Sequence, residues 1–137
     1  MTITTHQVIF DAYADINVLA DGDTMPAAKG SAGLRKLNQM MELLKEKDVD
    51  IGYFAQSTTT GNCPIPDWAE GPITNLLSAH LAPRNGASLS IELATIIDDT
   101  VNTLKRKMIS EKLDNADLSH MPIGEGYWGR RYDISKG

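Results

Sequence analysis

The sequence is short of the residues that build disulfide scaffolds, zinc sites and membrane spans. Its 137 residues include one cysteine, Cys63. A single thiol excludes an internal disulfide framework and a zinc site made from repeated cysteine ligands, and fits a reducing compartment. Aromatic residues make up 6 % of the chain, so a core has to close on Leu, Ile, Met and Ala. No run approaches the roughly 18 consecutive apolar residues of a membrane span. Thr2-Ile3-Thr4-Thr5-His6 after Met1 carries neither a basic nor an apolar region, so no signal peptide is expected. Basic residues are outnumbered 13 to 18, for a formal net charge of −5, which argues against a general electrostatic grip on nucleic acid or an anionic membrane. No dinucleotide-binding glycine motif follows a strand, and no phosphate-binding lysine follows a glycine loop.

What is present is helical periodicity. Val8, Ile9, Ala12, Tyr13, Ile16 and Leu19 recur at helical spacing behind Thr4 or Thr5 as N-cap and predict a first helix over Thr5–Leu19. Asp21-Gly22-Asp23-Thr24 breaks it. A second helix is expected from Pro26 to Lys47 on the stripe Leu34, Leu37, Met40, Met41 and Leu44, firm only from Leu34 because Gly30 and Gly33 weaken its start. Over residues 48–66 the period is lost. Val49, Ile51, Tyr53 and Phe54 alternate as in a short strand, hairpin or extended arm, while Pro64 and Pro66 bar a central strand. A third helix is predicted over Pro72–Leu81 and ends at Pro83. A fourth, capped by Ser88 or Ser90, runs to Leu113 with Leu89, Leu93, Ile96, Ile97, Thr100, Leu104 and Met108 along one side. The reading is a mainly α fold, with a compact four-helix domain over 1–113 and an extended C-terminal tail over 114–137.

The residues that carry chemistry do not assemble into a catalytic set. Cys63 lies between Asn62 and Pro64, and none of His6, His80 and His120 stands in a cysteine-enzyme context. His80, near the end of the third helix, reads as a partly buried or dipole-facing histidine. Asp21 and Asp23 begin like a calcium loop but lack its later glycine and glutamate. Glu70 with Asp98 or Asp99 is the one combination from which an acid pair for glycoside hydrolysis could be drawn, and a small cell-wall hydrolase is the enzymatic alternative. Lys105-Arg106-Lys107 fits a solvated helix end. No catalytic residue, metal or cofactor is expected.

The tail differs in kind from the rest. Met121, Pro122 and Ile123 lead into Gly124-Glu125-Gly126, then Tyr127, Trp128, Arg130, Arg131 and Tyr132. Trp, Tyr and Arg dominate interface hot spots because they bury a large area and keep a polar handle. Either the tail folds back on its own domain or, the sharper expectation, it is a docking arm that wraps another subunit, with Tyr127 and Trp128 as anchors and Arg130 and Arg131 as charge contacts. A cytoplasmic helical interaction module with an aromatic arm is a further alternative.

Several elements, in order, resemble a known family. Leu37-x-x-Met40-Met41 in the second helix is followed by Leu81-Ala82-Pro83 closing the third, Leu93-Ala94 opening a long helix with Lys105-Arg106-Lys107 near its end, and Met121-Pro122-x-Gly124-x-Gly126 opening the tail. This order, from about Thr5 to Gly126, is similar to that of the head-to-tail adaptor proteins of short-tailed bacteriophages, also called tail accessory or packaged-DNA stabilisation proteins. The resemblance implies a structural virion protein at the head–tail interface, made in the host cytoplasm, with no enzymatic activity. Copies, twelve by analogy, would form a ring beneath the portal and extend its DNA channel, monomeric until the portal templates them. The tail residues Met121, Pro122, Ile123, Tyr127, Trp128, Arg130, Arg131 and Tyr132 would bind the portal. Tyr53, Phe54, Thr58 and Thr59 of the 48–66 loop would face the tail nozzle or fibres. Twelve copies at −5 make a ring of about −60, a lining that repels the DNA backbone and lets the genome pass without specific binding.

Overall fold

The structure, a computed structural model, describes residues 2–114. Four helices follow in order: α1 over Thr5–Asp15, α2 over Ala27–Glu46, α3 over Glu70–Leu81 and α4 over Ile91–Asp114, with single 3-10 turns at Asp67–Ala69 and Pro83–Asn85. The mainly α class expected from periodicity is what is found. Helix α3 is the central element, in contact with α1, α2 and α4, while α1 also packs on α2. The apolar stripes of the first three helices meet in one core containing Val8, Ile9, Tyr13, Leu37, Met40, Ile73, Leu77 and Leu81, with Leu104 of α4 closing it.

Helix α1 stops four residues earlier than the period suggests. Ile16 is buried as expected, but Asn17 takes a left-handed backbone (φ 56). The amide of Asn17 donates to the carbonyl of Ala14 and that of Val18 to Tyr13, the paired bonds that finish a helix in a Schellman motif. Helix α2 ends the same way with Asp48 (φ 64) in the left-handed position, Asp48 N–H donating to Lys45 O and Val49 N–H to Leu44 O.

Helix α2 fills the expected span to within a residue at each end, and its early glycines do not weaken it out of helical form. Pro26 is its N-cap and the helix is continuous through Gly30 and Gly33. The reason for Gly33 is tertiary: a β-carbon there would collide with the Ile9 side chain of α1, so glycine lets the two helices approach closely.

Segment 48–66 forms no strand. Its one ladder element is an isolated antiparallel bridge between Thr4 and Asn62. It is nonetheless fastened to the helical body. Thr5 N–H donates to Gly61 O at 2.9 Å and His6 N–H to Thr59 O at 2.8 Å, and Cys63 N–H donates to Ile3 O. Gln7 N–H takes the Thr4 hydroxyl, and Thr4 N–H takes the Gln7 side-chain oxygen, a capping box. The amides of the first turn of α1, which a helix cannot satisfy internally, are thus met by Thr4 and by carbonyls more than fifty residues away in sequence.

Candidate functional site

The loop bearing Tyr53, Phe54, Thr58 and Thr59 is positioned by one side chain of α2. Asn38 Nδ2 donates to Gln56 O at 2.9 Å, Gln56 N–H donates to Asn38 Oδ1 at 3.0 Å, and the Tyr53 hydroxyl donates to the same oxygen at 2.6 Å. Gly52 (φ 82) makes the turn before it, its N–H bonded to the Asp50 carboxylate. Tyr53 is therefore half-buried and engaged by its own domain. Burial pushes its hydroxyl above the ordinary tyrosine range, and the nearby Cys63 adds to the shift. Phe54 is the opposite case, 66 % exposed. Thr58 is exposed, and Thr59 has its carbonyl committed to α1.

Cys63 lies in the loop but is buried against the core. Burial raises its thiol pKa, opposed by the Thr5 hydroxyl and reinforced by Glu70, so the thiol stays protonated and a poor nucleophile. His80 is half-buried, and burial first, then Lys36 and Lys47, holds it below its usual pKa. It is a neutral histidine rather than a dipole-facing imidazolium.

Among the carboxylates considered for hydrolysis, Glu70 shares a groove with Asp11, Asp15, Asp21 and Asp67 at the junction of α1 and α3, while Asp99 lines an adjoining one between α3 and α4, the two meeting at Gly71 and Asn75. In the first, burial, then Asp15 and Asp21, raises the pKa of Asp11. Among the described residues no group of three or more His, Cys, Asp or Glu side chains could hold a metal ion, and no helix is long and apolar enough to cross a membrane.

Helix α4 is laid on the body by Leu93, Thr100, Leu104 and Met108, all buried, and started by Ser90, whose hydroxyl accepts from Leu93 N–H at 3.1 Å. Ile96, expected in that stripe, lies off its edge and is 51 % exposed. Ile91, Ile109 and Leu113 are exposed outright. Nothing in the sequence pattern marks Trp68, which with Ile51, Pro66 and Met108 lines a groove beside the last turns of α4. Its indole N–H is buried with no hydrogen-bond partner among the described residues. The tail candidates Met121, Pro122, Ile123, Tyr127, Trp128, Arg130, Arg131 and Tyr132 lie outside the described residues.

The arrangement presents apolar side chains, Phe54 of the loop and Ile91, Ile109 and Leu113 of α4 among them, on a helical scaffold. No protein-family model matches the sequence, and a search of curated proteins finds no match.

Proposed function

We propose that the chain is a structural assembly protein, a head-to-tail adaptor of a short-tailed bacteriophage that binds beneath the portal, extends the DNA channel and offers a platform to the tail nozzle or fibres. The observation that carries this reading is the fastening of the 48–66 loop. Asn38, Thr5, His6 and Ile3 hold it at several points, so Phe54 and Thr58 are displayed from a rigid mount. A pre-organised contact loses less conformational entropy on binding than a floppy one. The order of the Leu-x-x-Met-Met, Leu-Ala-Pro, basic and Met-Pro-x-Gly-x-Gly elements supports the same reading. So does the composition beyond Asp114, where aromatic and arginine residues concentrate.

The test is size-exclusion of the purified chain with and without the portal protein encoded in the same genome. Co-elution is expected, and removal of residues 121–137 should abolish it while circular dichroism of the helical body is unchanged. A full chain that elutes apart from the portal overturns the adaptor reading. A truncated chain that still binds overturns the docking role of the tail.

A further inference from the structure

A groove beside the last turns of α4 joins a buried donor without an acceptor to the point where that helix ends. Its volume is about 380 Å³, and Ile51, Pro66, Trp68 and Met108 form its apolar lining, with Lys112 beside them. The size falls in the ~300–1,000 Å³ of clefts that hold ligands. Its walls are fixed, since Met108 is buried and Ile51 and Trp68 pack against the main core. The Trp68 indole N–H is buried and has no hydrogen-bond partner among the described residues, so its desolvation is uncompensated. An occupant of this groove has to bring apolar side chains and a carbonyl oxygen, and an extended stretch of polypeptide brings both.

The chain itself supplies such a stretch at the right distance. Lys112 and Met108 stand two and six residues before Asp114, so the groove lies about 3–9 Å back along the helix axis from its end. Residues 115–120 include the turn formers Asn115, Asp117 and Ser119. Fully extended, six residues reach about 20 Å, more than the reversal requires. Met121-Pro122-Ile123 follows. Proline disfavours helical backbone at the residue before it, so this triplet favours an extended form, in which Met121 and Ile123 share one face. Ile109 and Leu113, 54 % and 66 % exposed on α4, leave further apolar surface at the same helix end.

We infer that the groove is the seat of the chain's own tail. Met121 and Ile123 pack on Trp68, Ile51 and Met108 of the same copy, and a backbone carbonyl of residues 121–123 accepts the Trp68 indole N–H. A short flexible linker holds the triplet at about millimolar effective concentration, so a contact of modest intrinsic affinity is filled. Gly124-Glu125-Gly126 then releases the chain, and Tyr127, Trp128, Arg130 and Arg131 start from a fixed root beside α4. This goes beyond the adaptor reading and does not depend on it, because the contact is made within one copy and without a portal.

Trp68 reports its own cover. In the full chain carrying Trp128→Phe it is the sole tryptophan, so acrylamide quenching of its emission and hydrogen exchange of its indole N–H read the groove directly. In that background the indole should be poorly quenched and slow to exchange, equally at low and high protein concentration. Adding Met121→Asp and Ile123→Asp should raise both rates about twofold or more, as the opening of a local contact does, with circular dichroism unchanged. Met121→Leu with Ile123→Val should stay protected, because the face remains apolar. An aspartate variant as protected as its parent overturns the inference, and so does a Leu/Val variant as open as the aspartate one. Protection that grows with protein concentration assigns the groove to a second copy, and an indole already open in the parent leaves it to a foreign partner; either result overturns the tail as occupant. No portal is present in any arm, so failure here and failure of the adaptor reading are distinguishable.

Discussion

Asn38 and Gln56 exchange two hydrogen bonds, side-chain amide to backbone, as two paired β residues would. The third bond, from Tyr53, makes Asn38 the anchor of a loop that has no ladder of its own. Asn38→Ala leaves the Gln56 amide and the Tyr53 hydroxyl without this partner. The expected cost is about 2 kcal/mol, read by urea denaturation, with faster hydrogen exchange confined to the 53–56 backbone. An unchanged midpoint would show that water replaces the anchor at no cost.

Gly33 and Gly30 are expected to respond to alanine in opposite ways. At Gly33 the new methyl meets Ile9, so Gly33→Ala should lose about 1–3 kcal/mol despite alanine's better helix propensity. Ile9→Ala in the same chain should make the two losses less than additive. At Gly30 the nearest atom is the Met25 methyl at 3.4 Å, an ordinary contact at the end of a flexible side chain. There the substitution should gain about 0.5–1 kcal/mol. Thermal unfolding of the four variants, Gly33→Ala, Ile9→Ala, their double and Gly30→Ala, checks the signs and the coupling.

Asp48 holds a left-handed backbone that a side chain disfavours. Asp48→Gly keeps the Schellman bonds and removes that strain, with an expected gain of about 0.5–1 kcal/mol in the denaturation midpoint.

The helical stripes were legible in the sequence because periodic burial is a local signal; the two helix ends and the loop were not. Asn17 and Asp48 terminate helices through a backbone conformation that their side chains permit but do not announce. The breaker that stands out, Asp21-Gly22-Asp23, comes only after α1 has ended. Asn38 reads as an ordinary polar position on α2, since its partners are the Gln56 backbone and the Tyr53 hydroxyl, 18 and 15 residues away. Tyr53 and Phe54 are adjacent and similar in type, yet one is tied to Asn38 and the other faces solvent, a difference set by the Gly52 turn. The candidate site was thus legible as a loop, but not in which of its residues are free.

His80 gives the fold an acid-sensitive contact. Its folded pKa lies below the ordinary 6.5, so the unfolded chain binds the proton more tightly. Stability from this group is fully present above 6.5, falls as pH drops through the folded pKa, and levels once both states are protonated. His80→Gln should flatten that portion of a stability–pH curve measured by urea midpoints between pH 7.5 and 5. A slope that persists unchanged assigns it to other groups.

Cys63 should be slow toward a thiol reagent such as Ellman's in the native chain, by on the order of tenfold or more relative to the urea-unfolded chain. Equal rates would mean that the loop opens readily around it.

The carbonyls of Thr59 and Gly61 that complete the first turn of α1 have a mechanical consequence. A pull on the loop tip is shared at once by the two amides of α1, the bond from Cys63 to Ile3 and the Asn38 clamp on α2. Bonds loaded side by side yield together rather than one after another, so the segment behaves as a stiff strut. Force arriving at Phe54 or Thr58 is passed into two helices instead of being spent in stretching slack chain.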